Sequence, residues 1–390
     1  MLGTADLRAL YLDPSTAGIS WLLDPDSSRV LDGVTASDRL SADSRCDVDA
    51  LIVDVPDTLV LLRERHIGLV TGAANPRGLD DWAATWVARL ENERPDTWGA
   101  ALGTAFHDLR WLVGDNHLRV PGEDTDLLRA SDRRGGEPVH GREEGPWLEE
   151  RVVDGVLCLR LRQCGGRSPE VEQAMLHFQD DHARHFAHDK IIVDVRSNPG
   201  GSDEFVWKWI ADHVPHEVRY VPDKAWRYGG RRLAAWNLMV EQIAIAGEDS
   251  ISELRRDNTP ALRPNGTLTL EADDEVLGVG ASPWHGQMLV LTDRLTASAG
   301  ESIAWMLREA FDAKIVGGPS GGLLTYGDIT PYLLPRSRLV LWLATHWFDW
   351  RGVEMVGLPV DLTIDPRTPL ADIITNFDDL HTAASPTSTW

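Results

Sequence analysis

The sequence predicts an α/β protein in which a helical region precedes the main sheet. Three observations carry that expectation. From residue 152 onward, apolar runs of strand length alternate with amphipathic helical patterns, as parallel βαβ units with right-handed crossovers require. Two of those runs, 190–196 and 287–293, end in sharp turns rich in small residues. Residues 79–113 instead repeat their apolar side chains at helical spacing.

Taken in order, residues 1–75 mix short apolar runs such as 51–56 with loop-rich stretches, and so predict a mixed or β-rich N-terminal region. Residues 76–122 form a helical subdomain. Trp82, Trp86 and Leu90 share one stripe, and Trp98, Leu102, Phe106 and Leu109 share another, which makes these tryptophans core residues. Residues 123–148 are polar, charged and glycine-rich, a linker or loop.

The core, 149–375, follows as strand 152–162, helix 169–187, strand 190–196, strand 287–293, helix 299–311 and strand 313–317. Ser168-Pro169 is a favourable helix start. Between Gly201 and Ser298 lie 96 residues, more than a crossover needs. A helical insertion is therefore expected at 203–262, carrying Trp207, Trp209, Trp226 and Trp236, with 263–286 returning to the core. Those aromatics would either bury against the domain or line an apolar pocket. Residues 376–390 read as a flexible tail.

The chemistry concentrates in the two turns. Residues 287–311 read as a strand, a tight turn holding Ser298, and a helix from Ala299. A serine there sits beside unpaired N–H groups and the positive end of the helix dipole, which favour a developing oxyanion. The plainer alternative is that Ser298, or Thr296, merely caps the helix. At the other turn, Asn198-Pro199-Gly200-Gly201 closes a buried strand, and its glycines allow backbone N–H groups to approach a ligand closely. Two such turns at the C-terminal ends of successive strands suggest one shared cleft.

Together these segments resemble the catalytic domain of the S41 serine peptidases, which include C-terminal processing proteases, tricorn-type proteases and interphotoreceptor retinoid-binding modules. The resemblance implies a ClpP/crotonase-like core of ββα repeats. It implies Ser298 as nucleophile, with the N–H groups of Gly200 or Gly201 and of Ala299 forming the oxyanion hole; Glu301 matches the motif's glutamate. The processing branch places a lysine base about 25 residues after the serine, but that position is Leu323 here, and Lys314 falls elsewhere in a strand. The chain therefore resembles the tricorn-type branch, whose base is a histidine. His117 in the stretch Gly-Asp-Asn-His matches that role and Glu354 matches the orienting carboxylate. Asn116 stands where the branch has a serine, and its amide can still hydrogen-bond. His346 is the rival base.

Composition narrows the partners. With 38 basic and 61 acidic residues the net charge is −23, which disfavours nucleic acid and anionic membranes and suits a basic or apolar peptide. A peptide or protein substrate is expected, and no cofactor or metal. His182, His185 and His188 follow Asp180 and Asp181, but steps of three residues drift around a helix and lack the zinc-hydrolase pairing. Cys46, Cys158 and Cys164 have no metal-ligand spacing. The N-terminus lacks a secretory pattern, so a cytoplasmic protein is expected. Two other classes use the same features: a non-catalytic carrier of apolar ligands, and an acyltransferase or cyclase in which an amine resolves the acyl-serine.

Overall fold

Asp47 starts the first described helix by accepting the Ala50 N–H at 3.1 Å. The computed structural model describes residues 44–118, 145–164, 169–219, 225–228, 268–271, 276–334, 336–337, 339–348 and 353–383. In chain order the helices are α1 (Val48–Arg65), α2 (Ile67–Thr71), α3 (Leu79–Glu93), α4 (Trp98–Val113), α5 (Pro169–Asp180), α6 (His182–His185), α7 (Glu204–Ile210), α8 (Ala299–Phe311), α9 (Leu370–Thr375) and α10 (Phe377–Ala383). The strands are β1 (Leu148–Val153), β2 (Val156–Leu161), β3 (Lys190–Asp194), β4 (Val218–Arg219), β5 (Ala225–Tyr228), β6 (Leu268–Glu271), β7 (Val276–Leu277), β8 (Gln287–Thr292), β9 (Lys314–Gly317), β10 (Tyr326–Leu333), β11 (Val340–Phe348) and β12 (Leu362–Thr363).

The chain divides into two compact units. The first holds α1–α4 and a four-stranded sheet in the order β10-β11-β5-β6. Leu51, Val55, Leu61 and Leu62 of α1 are buried with Trp86, Leu90, Leu102 and Phe106 of α3 and α4. Leu341 and Leu343 of β11 join the same core. The buried indoles are satisfied: Trp82 Nε1 donates to Ala105 O at 2.8 Å and Trp86 Nε1 to Ala101 O at 3.0 Å. Among the described residues of 1–75, α1 and α2 replace the expected mixed or β-rich region. The apolar run ending at Pro56 imitates a strand in a short window, but the buried positions continue at helical spacing past an exposed proline.

The second unit is built on a sheet ordered β1-β2-β3-β8-β9-β12. β2, β3, β8, β9 and β12 run parallel, whereas β1 pairs antiparallel with β2. Alternate residues face opposite layers, as the pleat dictates. Leu157, Leu159, Ile191, Val193, Met288 and Val290 pack with Ile303, Ala304 and Leu307 of α8. Val156, Cys158, Ile192, Leu289 and Leu291 pack on the other face with Ile373, Ile374 and Phe377.

Several expectations need correction. The strand expected at 152–162 is a hairpin, turned by Asp154 and Gly155 at φ 52° and 81°, the positive pair of a type I′ turn. The helix expected at 169–187 breaks at Asp181. The tail expected to be flexible contains α10, held by buried Phe377. Of the insertion, 204–210 is helical but β5 and β6 belong to the first unit's sheet, as do β10 and β11, so the stretch 149–375 is not one core. Residues 1–43, most of the linker, Trp236 and residues 384–390 lie outside the described residues. No described helix is long and apolar enough to cross a membrane.

Candidate active site

At the end of β8 the chain must turn within a few residues, and polar side chains specify how. Asp293 Oδ1 accepts the N–H groups of Ser197, Leu295 and Thr296, each at 2.9 Å. Thr296, a candidate cap in the sequence, is buried and donates its hydroxyl to Val195 O at 2.9 Å. Ala297 N–H reaches Asn198 O at 2.9 Å, so the turn after β8 is fastened to the turn after β3.

Ser298 follows with φ 51° and ψ −123°, a conformation that a residue with a Cβ adopts only at a cost of about 1–3 kcal/mol. Ser197 and Met355, next to Asn198 and Glu354, also have positive φ, at 62° and 66°.

The glycine turn lies against this serine. A Cβ on Gly200 would stand 2.8 Å from Ser298 Cβ and 3.1 Å from Ala299 N, and Gly200 has φ 100°. A Cβ on Gly201, at φ 139°, would collide with Cys164 O. Buried Asn198 shapes the turn: its Nδ2 donates to Leu161 O at 3.0 Å, and its Oδ1 accepts the Gly200 N–H at 2.9 Å. That bond commits the Gly200 donor to the turn itself, which separates two glycines that the sequence left equivalent.

Glu301, fully buried in the first turn of α8, anchors the whole arrangement. Its Oε2 accepts Ser298 N–H at 2.9 Å and Leu323 N–H at 2.7 Å; its Oε1 accepts the Ser320 hydroxyl at 2.5 Å and Gly322 N–H at 2.8 Å. Burial pushes its carboxyl above the usual range, and these hydrogen bonds oppose that rise. Ser320 Oγ in turn accepts Leu358 N–H at 2.6 Å, and Met355 N–H donates to Gly322 O at 2.9 Å. Within this segment half-buried Glu354 accepts Thr325 N–H at 3.0 Å. Ser298, Ala299, Gly200, Gly201 and Glu354 therefore all belong to the second unit, joined by one hydrogen-bonded frame.

His117 and Asn116 belong to the first unit. α4 ends at Gly114 with φ 72°, and the next residues turn so that Asp115 Oδ1 accepts the His117 N–H at 2.6 Å. His117 is buried and Asn116 half-buried. His346 is buried on β11, opposite Gly327. Asp293, Asp115 and His66, which buttress these turns, escaped the sequence reading; the Asx-turn spacing of Asp293 to Leu295 and of Asp115 to His117 is the signal that could have found the two aspartates.

Other reactive groups are committed elsewhere. His185 accepts Trp209 Nε1–H on Nδ1 at 3.0 Å and faces Glu150 with Nε2 at 3.3 Å. Burial lowers its pKa and keeps the ring neutral. Glu150 and Asp181, the two carboxylates within ligand reach of it, are bridged by the Arg184 guanidinium. This cluster is an ion-pair network built around a structural imidazole. All three cysteines are free and buried; burial pushes the thiols of Cys46 and Cys158 up to about 11 and raises that of Cys164 as well, so none is a thiolate nucleophile.

No curated protein matches the chain. Among solved structures, a lipoprotein from Streptococcus agalactiae is 11% identical, with 86% of this chain and 96% of that one covered and a TM-score of 0.45. The photosystem II D1 C-terminal processing protease is 11% identical over 83% of this chain and 96% of its own, with a TM-score of 0.42. Mature CPAF complexed with lactacystin is 14% identical over 62% and 55%, with a TM-score of 0.40. Likenesses this loose carry no conclusion about the chain. The family match does: residues 156–354, just over half of the sequence and including both glycine turn and serine turn, match peptidase family S41. The chain belongs to peptidase family S41 and is a serine-type peptidase acting on peptides or proteins.

Proposed function

We propose that Ser298 is the nucleophile of a peptidase that works through an acyl-enzyme. Its hydroxyl attacks the scissile carbonyl, His117 takes the proton and returns it to the leaving amine, and water then resolves the ester. Glu354 is proposed to orient the imidazole, with Asn116 beside it in sequence as a further hydrogen-bonding group. The oxyanion is assigned to the N–H groups of Ala299 and Gly201, since the Gly200 N–H is already donated to Asn198 Oδ1. Gly200 instead keeps the space over the serine clear.

The observation that carries this reading is the positive φ of Ser298 at the N-terminus of α8, a costly conformation that capping alone does not need. In fold terms, the parallel β2-β3-β8-β9 sheet and α8 are assigned to a ClpP/crotonase-like core. The net charge of −23 favours basic or apolar peptide substrates over polyanions.

Ser298→Ala tests the assignment. It is expected to abolish labelling by a fluorophosphonate probe and to cut hydrolysis of fluorescent casein by about 10⁴-fold or more, with the far-ultraviolet circular dichroism unchanged. Undiminished labelling would exclude Ser298 as the nucleophile.

A further inference from the structure

Beneath His117 lies a pair of side chains that the peptidase reading does not use. His66 Nε2 and Asp115 Oδ2 are 2.8 Å apart, and both side chains are 0% exposed. Burying a carboxylate this completely is costly unless its oxygens are hydrogen-bonded. Both are: Oδ2 faces His66, and Oδ1 accepts the His117 N–H at 2.6 Å.

His66 is itself fixed on every side. It stands at the junction of α1 and α2, ending the first helix and capping the second. Its Nδ1 accepts the Leu69 N–H at 3.4 Å, which makes Nε2 the protonated nitrogen and hence the donor to Asp115. Its ring packs on Tyr326 with centroids 5.3 Å apart, and the same tyrosine fills the space over Gly68, where any Cβ would collide with the phenol oxygen. Arg63 on the preceding turn is directed elsewhere, to Asp80 at 2.7 Å.

We propose that His66 and Asp115 are positioning residues that act through His117. Asp115 fixes the backbone at residue 117 from one carboxylate oxygen, and His66 fixes that carboxylate from the other. The imidazole of His117 is thereby carried on a segment that cannot shift without breaking a buried bond. Effective proton transfer needs this, because a displacement of about 1 Å in a reacting group can cost about 10²-fold in rate. The inference rests on His117 being the base.

The test is the rate of fluorophosphonate labelling, resolved into inactivation rate and probe affinity, for Asp115→Ala, Asp115→Asn, His66→Gln, His117→Ala and the Asp115→Ala/His117→Ala double variant. Circular dichroism and melting curves establish that each is folded. Asp115→Ala is expected to lower the inactivation rate by about 10²-fold at nearly constant probe affinity. Asp115→Asn, which keeps an oxygen for the His117 N–H, should recover part of it. In the His117→Ala background, Asp115→Ala should cost nothing further. A wild-type rate in Asp115→Ala and His66→Gln, or an undiminished Asp115→Ala effect in the double variant, would overturn the inference. Should Asp115→Ala not fold, Asp115→Asn and His66→Gln carry the same comparison. A wild-type rate in His117→Ala would reject the base assignment and this inference with it, and so is distinct from a failure of the pair alone.

Discussion

The helices α4 and α8 each begin at a hydroxyl residue, and they begin differently. Thr97 starts α4 in an extended conformation, φ −121° and ψ 153°, and its side chain accepts the Ala100 N–H at 3.4 Å. That is the ordinary use of a hydroxyl at a helix start. Ser298 also caps its helix, in a capping box with Glu301 whose carboxylate accepts the Ser298 N–H, but it does so at φ 51° with a glycine pressed against its Cβ. The difference teaches that residue type at a helix start does not separate an ordinary cap from a serine proposed as a nucleophile. What separates them is a set of distant groups that force the backbone into a shape capping does not require.

The largest expected effect comes from removing what imposes that shape. Glu301→Ala leaves four donors, two of them buried, without their acceptor, so it should lower stability by about 3 kcal/mol or more and labelling of Ser298 by about 10²-fold. Urea unfolding and probe kinetics would check both; a variant as active as wild type would mean that Glu301 does not shape the serine turn. Next in size is Gly200→Ala, whose methyl would meet Ser298 Cβ at a positive φ. A loss of about 1–3 kcal/mol and a reduced labelling rate are expected, read by melting curves and the same probe.

The smallest effects on stability sharpen the contrast most directly. Thr97→Ala should cost about 1 kcal/mol and leave labelling untouched, as loss of a cap predicts. Ser298→Gly should instead raise the melting temperature while abolishing labelling, because glycine accepts φ 51° without penalty. If Ser298→Gly melted lower than wild type, the serine's backbone would not be strained.

The parts of this design that were readable from sequence are those where backbone geometry dictates residue type. Gly200 and Gly201 have to be glycine because carbonyl and side-chain atoms occupy the space of a Cβ. β2, β3, β8 and β9 are buried on both faces and therefore read as continuous apolar runs. The Asp154-Gly155 hairpin was equally open to reading, yet two short strands joined by two residues pass for one long strand in a simple hydropathy pattern. Other features had no local signature. His66 and Asp115 are 49 residues apart and meet only once the first unit is folded. The grouping of β10 and β11 with the helices depends on Leu341 and Leu343 reaching a core formed more than two hundred residues earlier in the chain. α10 is held by Phe377, and a lone aromatic near a terminus gives no periodicity to detect.

The burial of Cys46, Cys158 and Cys164 has a practical use. With no native thiol presented to solvent, maleimide dyes should ignore the wild-type chain and react only with cysteines placed by design. One such site on each unit would yield a donor and acceptor pair whose energy transfer can be followed, molecule by molecule, before and during turnover.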